Sequence, residues 1–187
     1  DDVILFNALI SDLFPGVEIP KTDSGELLEA IEFVTLQQGL QVMPKVTLKA
    51  VQLYETLNVR FGVMLVGPTG GGKTSCYKTL QMAMTRLRTE MNSKNPEMQE
   101  VLTYVLNPKC IGMGELYGEF NDVTAEWKDG LGSGLMRNAT SDTSVARKWV
   151  VFDGPVDAIW IENMNTVLDD NRKLCLPNGE RIKLNGE

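Results

Sequence analysis

Residues 67–74 read G-P-T-G-G-G-K-T, and this segment restricts the possible folds of the chain more than any other feature. It matches the pattern G-x-x-x-x-G-K-[ST], in which a glycine-rich turn joins a buried strand to the first turn of a helix. The glycines let consecutive backbone N–H groups point inward, where they can hold phosphate oxygens. The segment therefore predicts a strand, a phosphate-binding loop and a helix, in that order.

We predict that this loop binds a nucleotide through nine consecutive residues, Gly67, Pro68, Thr69, Gly70, Gly71, Gly72, Lys73, Thr74 and Ser75. Lys73 places a compact positive charge against the outer phosphates, and the hydroxyl of Thr74 is placed to ligate the Mg²⁺ that bridges them. The N-terminal end of the following helix adds positive potential. The predicted cofactors are ATP or ADP, together with Mg²⁺.

The residues on both sides of the loop fit that order. Val63–Val66 is a short apolar run, which we interpret as a buried strand. Cys76 falls in the first turn of the helix, where a thiol pKa can be lowered, but we expect this side chain to pack as a small apolar group. Beyond the loop, apolar side chains recur at helical spacing at Cys76, Leu80, Ala83, Leu87 and Met91.

Composition is that of a globular protein with one main domain, since 43% of the 187 residues are apolar and 23% are charged. The net charge of −7 argues against general electrostatic binding to nucleic acid or to an anionic membrane. Three scattered cysteines and no histidine give no zinc-site pattern and indicate reduced thiols in the cytoplasm. The apolar runs are too short to span a bilayer. Because the chain starts at Asp1 rather than Met, we expect a piece of a longer protein.

Apolar spacing divides the chain into a helical N-terminal segment, residues 1–60, and a mixed region, residues 61–187. Helices are predicted at Val3–Phe14, after a cap at Ser24, at about Val46–Leu57, after the loop, from Leu135 onward, and through Val156, Trp160, Met164 and Val167. Further strands are predicted at Val101–Leu106 and Trp149–Phe152, with a loop or small hairpin at Gly118–Gly134 and a hairpin at Lys173–Leu184 that turns at Asn178-Gly179. Alternating strands and helices predict an α/β three-layer fold with a mainly parallel sheet.

An acid at the end of a second buried strand normally completes the metal site of such a loop. Asp153 follows W-V-V-F and is the predicted partner of Thr74 on Mg²⁺. In many related ATPases the next residue is a glutamate that orients the attacking water, and here it is Gly154. Slow or negligible hydrolysis is expected unless Asp157 or Glu162 substitutes, and Asp157 is better placed as a helix cap. We therefore assign no catalytic residue.

Several longer segments carry a resemblance to a known family. They read V-L-N-P-K (105–109), L-Y-G-E-F (116–120), E-W-K-D-G-L (126–131), V-F-D-G-P-V-D (151–157), W-I-E-N-M-N-T-V-L-D-D-N (160–171) and L-P-N-G-E-R-I (176–182). Together they resemble dynein heavy chains, and within these the second AAA+ module of the motor ring. The runs at 114–120 and 160–165 look axonemal and outer-arm-like rather than cytoplasmic. The resemblance covers essentially the whole chain.

This resemblance implies a P-loop NTPase core of the AAA+ type at residues 61–187, truncated before the sensor strand and the small helical subdomain. It implies that the segments 118–128 and 173–184 are insertions that face the linker, and that the module binds ATP mainly as a structural or regulatory nucleotide. The implied partners are neighbouring AAA+ modules and the linker of the same heavy chain. Other dynein subunits and microtubules are reached only through the parent protein. The implied location is the cytoplasm, the cytoskeleton and the axoneme of a cilium or flagellum.

Other classes share the phosphate loop and stay open at this point. A small phosphotransferase needs clustered arginines for a second phosphate group, whereas the seven arginines here are dispersed. A GTPase needs an N-K-x-D segment to read guanine, and the sequence has none. An interaction module with an empty nucleotide site is the third alternative.

Overall fold

The computed structural model of the chain describes residues 2–17, 25–169 and 171–184, so the cap predicted at Ser24 lies outside the described residues. Its helices are α1 (Asp2–Leu13), α2 (Gly25–Gln37), α3 (Pro44–Val59), α4 (Lys73–Thr89), α5 (Met113–Tyr117), α6 (Leu131–Ser141), α7 (Ala158–Ile161) and α8 (Asn165–Leu168), with a 3₁₀ turn at Glu162–Met164. Its strands are β1 (Val101–Leu106), β2 (Gly118–Phe120), β3 (Trp127–Asp129), β4 (Arg147–Phe152), β5 (Lys173–Cys175) and β6 (Arg181–Lys183). Of the helices described, none has the length and apolar character that a membrane span requires.

Strands β1 and β4 form a parallel pair at the centre of the fold, with helices on both faces. Successive side chains of a strand point to opposite faces. Accordingly, Trp149 and Val151 of β4 pack against one hydrophobic core, and Val150 and Phe152 pack against a second. The predicted α/β class with a parallel sheet is confirmed, because a sheet that is apolar on both faces needs a helical layer on each.

The first core lies under helices α2, α3 and α4. Leu80, Ala83, Met84 and Leu87 of α4 are completely buried in it, together with side chains from the two earlier helices. Pro44 starts α3 at a position where its missing N–H costs no hydrogen bond. Helices α2 and α3 therefore share a core with the loop's own helix, whereas the apolar side chains of α1 are largely exposed.

The second core lies on the opposite face of the sheet and includes both antiparallel hairpins. Leu174 and Ile182, one from each strand of the β5–β6 hairpin, are buried there beside Leu116 and Trp160. The turn of this hairpin contains Gly179 at a φ of 89°, as the Asn-Gly pair predicts. Of the two alternatives predicted for the 118–134 region, a loop or a small hairpin, the hairpin is present as β2–β3, which places two hairpins at the same side of the molecule as α6.

The run Val63–Val66 is not a strand, and this prediction was wrong. A strand needs a neighbouring backbone for its hydrogen bonds. Here Val63, Met64 and Leu65 line a cleft of about 700 Å³ that is also lined by β4, and the parallel sheet contains only β1 and β4 among the described residues. Val63 packs on the first core, while Met64 is 51% exposed and Val66 85% exposed.

Two smaller predictions needed correction. The helix predicted through Val156 starts only at Ala158, because the carbonyl oxygen of Asp157 accepts its first hydrogen bond, from Ile161 N, and the helix tightens into the 3₁₀ turn before α8. Helix α6 starts at Leu131 rather than near Leu135, since the hydroxyl of Ser133 accepts a hydrogen bond from Gly130 N over 3.2 Å and so supports an earlier first turn.

Candidate functional site

The phosphate-binding loop lies between the extended run 62–66 and helix α4. Gly70 and Gly72 have φ values of 76° and 79°, a left-handed conformation that side chains oppose. A hydrogen bond of 3.1 Å from Gly71 N to Pro68 O closes the turn, and one of 2.8 Å from Cys76 N to Gly72 O opens α4. The loop therefore ends at a helix N-terminus, which is the backbone arrangement that binds phosphate.

Lys73 is the first residue of α4, and its ammonium group lies over the loop. The Nζ atom donates hydrogen bonds to the carbonyl oxygens of Gly67 over 2.9 Å and Pro68 over 2.8 Å. The positive charge is thus held within the same turn as the amides that the motif supplies. This position suits a group that binds the outer phosphates of a nucleotide.

Thr74 and Asp153 meet in the structure, as the sequence predicted. The hydroxyl of Thr74 donates a hydrogen bond of 3.1 Å to Oδ2 of Asp153. The sheet places the carboxylate there, because Asp153 N bonds to Leu106 O over 2.9 Å and so continues the β1–β4 ladder by one residue. A hydroxyl and a carboxylate at this distance are hard oxygen ligands of the kind that Mg²⁺ prefers.

Few protein ligands are needed for such a metal site. In the parts of the chain that the structure describes, no group of three or more histidine, cysteine, aspartate or glutamate side chains could hold a metal. Mg²⁺ in phosphate-loop sites commonly takes one or two protein oxygens and completes its octahedron with phosphate oxygens and water. The pair Thr74 and Asp153 fits that mode, and its role as a metal site stays a prediction.

The position after Asp153 leaves no room for a side chain. A Cβ atom at Gly154 would lie 2.6 Å from Oδ1 of Asn107 and 3.1 Å from Cδ of Pro108. The Asn107 side chain is held in place by a hydrogen bond of 3.0 Å that Oδ1 accepts from Lys109 N. Asn107 follows β1 directly. In the sequence, the Asn-Pro pair indicates only the end of this strand and not the contact of Asn107 with Gly154.

Asp157 and Glu162, the two acids that could substitute for a water-orienting glutamate, make different contacts from those of Asp153. Asp157 forms an ion pair with Lys109, and its carbonyl oxygen accepts a hydrogen bond of 3.2 Å from Ile161 N at the start of α7. This agrees with the capping role expected for Asp157. Glu162 is exposed in the 3₁₀ turn.

Cys76 and Tyr77 face the core one turn into α4. Burial raises the pKa of the Cys76 thiol, so the packing role expected for Cys76 is the one the structure supports. Tyr77 is only 7% exposed and lines the cleft beside Lys73, Thr74 and Asp153. Its hydroxyl is closed off from solvent and has no hydrogen-bond partner among the described residues. Tyr77 is not among the residues predicted for the site, although its position three residues after Thr74 places both on neighbouring parts of one helix face.

Two family models match the chain and together cover it from end to end. A model described as "AAA domain (dynein-related subfamily)" matches residues 62–187, which include the whole loop and Asp153. A model described as "Hydrolytic ATP binding site of dynein motor region" matches residues 1–74.

Individual relatives show high identity over nearly the full chain. Dynein axonemal heavy chain 6 of Homo sapiens is 57% identical over 184 residues, which is 98% of this chain. Dynein axonemal heavy chain 1 of Mus musculus is 50% identical over 98% of the chain, and dynein axonemal heavy chain 3 of Homo sapiens is 48% identical over 100%. The chain spans 4% of the length of each of these relatives.

Proposed function

Since the chain belongs to the dynein heavy chain family and has AAA domains, we propose that it forms a nucleotide module of a motor ring, in which residues 67–75 bind ATP or ADP. Thr74 and Asp153 hold the Mg²⁺, and hydrolysis at this site is slow or absent. The relatives are axonemal heavy chains, so the chain belongs to the axoneme of a cilium or flagellum, a cytoskeletal location. Movement along microtubules is then the work of the longer protein, to which this module contributes a structural or regulatory nucleotide.

One observation carries the binding proposal, namely the contact of Thr74 with Asp153 over 3.1 Å beside a loop that has the required backbone turn. A glycine-rich surface turn without a ligand would give no reason for a carboxylate from a distant strand to lie against the hydroxyl that follows the lysine. A bound nucleotide gains from both groups, because its Mg²⁺ needs oxygen ligands on the protein side of the phosphates.

The packing at Gly154 supports slow hydrolysis. The residue that would carry a water-orienting carboxylate has no side chain, and Asn107 lies where the first atom of one would be. Loss of a positioned base typically lowers a rate by about 10²- to 10⁴-fold. The family model described as a hydrolytic site ends its match at Thr74, so it does not bear on Asp153 or Gly154.

The remaining assignments follow the resemblance. We assign the chain to the second module of the ring, with neighbouring modules and the linker of the same heavy chain as its partners and with an outer-arm-like origin. The cleft beside β4 is consistent with a core that is completed by more of the chain, because Val63–Leu65 and β4 both line it without pairing to each other. A sensor strand after residue 187 would supply the missing hydrogen-bond partners.

The test is titration of a fluorescent ATP analogue with Mg²⁺ into the wild type and into Lys73→Ala. We expect binding by the wild type and its loss in Lys73→Ala. Lys78→Ala is the matched control, because Lys78 is an exposed lysine on the same helix and should not affect the affinity. Equal signals from all three proteins would contradict nucleotide binding and favour a pure interaction module.

Phosphate release from ATP tests the second part of the proposal. We expect no turnover above background, and rapid release by the wild type would contradict it. Addition of a second nucleoside or nucleotide to the same reaction detects a phosphotransferase, which would convert that acceptor.

A further inference from the structure

Tyr77 has a polar group whose burial is unexplained by the fold alone. Tyr77 is only 7% exposed to solvent, and its hydroxyl has no hydrogen-bond partner in the described parts of the chain. A buried hydroxyl without a partner typically costs about 1 to 3 kcal/mol. A phenylalanine at this position would fill the same space without that cost. Packing alone therefore does not explain why this residue is a tyrosine rather than a phenylalanine.

The groups around Tyr77 indicate a role for its hydroxyl. The residue lines the same cleft as Lys73, Thr74 and Asp153, which are the charged and hydroxyl groups of the proposed site. It follows Thr74 by three positions on α4, so the two side chains are neighbours on the helix surface. Burial raises the pKa of Tyr77, and the negative charge of Asp153 raises it further.

Asp153 also has the freedom to form a second hydrogen bond. It is exposed, it lies just past the end of β4, and its contact with Thr74 uses the Oδ2 atom. Ligation of Mg²⁺ requires its carboxylate to be held in one orientation, and a second donor would fix that orientation. The phenol of Tyr77 can only help if it donates, because a carboxylate accepts hydrogen bonds.

We infer that Tyr77 is a positioning residue at the metal end of the site, whose hydroxyl donates a hydrogen bond to the Asp153 carboxylate when Mg²⁺ and nucleotide are bound. This inference rests on the proposed nucleotide function and adds a residue to it. The unpaired hydroxyl lowers the stability of the protein without ligand, and the hydrogen bond recovers that loss on binding. Tyr77 thereby makes nucleotide affinity depend more strongly on Mg²⁺.

The test compares wild type with Tyr77→Phe in two assays. In the first, a fluorescent ATP analogue is titrated once with Mg²⁺ and once with EDTA. We expect the affinity with Mg²⁺ to fall about 3- to 10-fold and the affinity in EDTA to stay unchanged, because only the metal-dependent contact is lost. In the second, the thermal midpoint of the protein without ligand is measured, and we expect Tyr77→Phe to keep or raise it.

Tyr54→Phe is the matched control. The Tyr54 hydroxyl donates a hydrogen bond of 2.8 Å to Oε2 of Glu97, and neither residue belongs to the loop or to the Thr74–Asp153 pair, so its removal should lower the thermal midpoint and leave the Mg²⁺-dependent affinity unchanged. A purely structural Tyr77 would resemble Tyr54 in the binding assay, in that Tyr77→Phe would leave the Mg²⁺-dependent affinity unchanged.

Two results would overturn the inference. The first is an unchanged affinity of Tyr77→Phe with Mg²⁺, and the second is an equal loss with Mg²⁺ and with EDTA. Lys73→Ala, measured alongside, separates this failure from failure of the nucleotide function. If Lys73→Ala loses binding while Tyr77→Phe binds like the wild type, only the role of Tyr77 is wrong. If Lys73→Ala binds like the wild type, the nucleotide function itself is wrong.

Discussion

Thr74 and Asp153 are 79 residues apart in the chain, yet the threonine hydroxyl donates a hydrogen bond of 3.1 Å to the aspartate carboxylate. The contact joins the first turn of α4 to the end of β4. Its geometry depends on the parallel register of β1 and β4, in which Leu106 pairs with Phe152 and passes the ladder on to Asp153. The sheet thus determines where the metal end of the loop lies.

We predict that Asp153→Asn weakens nucleotide binding only when Mg²⁺ is present. The amide keeps the shape of the carboxylate but removes its charge, and a charged partner contributes roughly twice as much to such a contact as a neutral one. The affinity for an ATP analogue should fall by about tenfold with Mg²⁺ and stay within about twofold in EDTA. Asp122→Asn, an exposed carboxylate in the turn of the β2–β3 hairpin, is the control. A loss of the same size in EDTA would argue against a metal role for Asp153.

Gly154 should resist replacement because of Asn107. In Gly154→Ala the new Cβ would meet Oδ1 of Asn107 at 2.6 Å, so we expect a loss of about 1 to 3 kcal/mol in the free energy of unfolding. The loss should be smaller when Asn107→Ala is already present, because the clashing atom is gone. Urea denaturation of the two single variants and the double variant measures this coupling. Additive losses would show that Asn107 is not the obstacle.

The same contact has a consequence for engineering hydrolysis. We expect Gly154→Glu alone to release no more phosphate than the wild type, because the added side chain must first displace Asn107. The double variant Asn107→Ala and Gly154→Glu removes that obstacle and is the better test of the missing carboxylate. Phosphate release is measured for each variant, and circular dichroism confirms that the compared samples have the same folded fraction. Release by the double variant but not by Gly154→Glu alone would support obstruction by Asn107. Turnover by Gly154→Glu alone would contradict the steric argument.

Local signals in the sequence predicted the parts of the site that depend on local geometry. The loop needs positive φ values at Gly70 and Gly72, and only glycine adopts these readily, so the motif itself predicts the turn. Strand β1 was predicted with its observed bounds because an apolar run ends at an Asn-Pro pair.

Other features depend on which segments become neighbours, and no local pattern reports that. Val63–Val66 has the composition of a strand, but its backbone has no pairing strand in the described sheet. The closeness of Asn107 to Gly154 follows from the β1–β4 register, and the burial of the Tyr77 hydroxyl follows from how α4 packs. The unpaired run at 63–66, the Asn107–Gly154 contact and the buried Tyr77 hydroxyl could therefore be recognised only from the three-dimensional structure.

Arg137 connects the two hairpins, and we predict that its loss loosens both together. Its guanidinium contacts Asp129 at the end of β3 over 3.1 Å and Glu180 in the β5–β6 hairpin over 2.9 Å. Hydrogen bonds from Trp127 and from Arg137 lower the pKa of Asp129, so this carboxylate stays charged below the usual pH range of an aspartate. The contacts are exposed, so the effect on overall stability should be small.

The measurement is amide hydrogen exchange of Arg137→Met, which keeps a long apolar side chain and removes the charge. Exchange in both hairpins should become faster by up to about fivefold, while helix α4 stays unchanged. Arg86→Met is the control, because Arg86 of α4 forms its ion pair with Glu90 directly after that helix, at 3.1 Å. Faster exchange in only one hairpin would show that Arg137 does not couple them.

Tyr117 should make the protein less stable at high pH. Burial raises the pKa of Tyr117 from 10.0 to about 12, and its hydroxyl donates a hydrogen bond of 2.6 Å to Trp160 O. Between these two pH values the unfolded chain loses the phenol proton while the folded protein keeps it, so unfolding becomes more favourable as pH rises. The stabilisation from the raised pKa is therefore complete below pH 10 and falls by at most roughly 1.4 kcal/mol per pH unit above it.

Urea denaturation of wild type and Tyr117→Phe between pH 8 and pH 12 isolates this contribution, because other groups titrate equally in both proteins. At pH 8 the variant should be less stable by about 1 kcal/mol, since it lacks the hydrogen bond to Trp160 O. The difference between the two proteins should shrink as pH rises above 10, because the wild type loses stability that the variant never had. A difference that stays constant up to pH 12 would show that the Tyr117 phenol ionises alike in the folded and unfolded states.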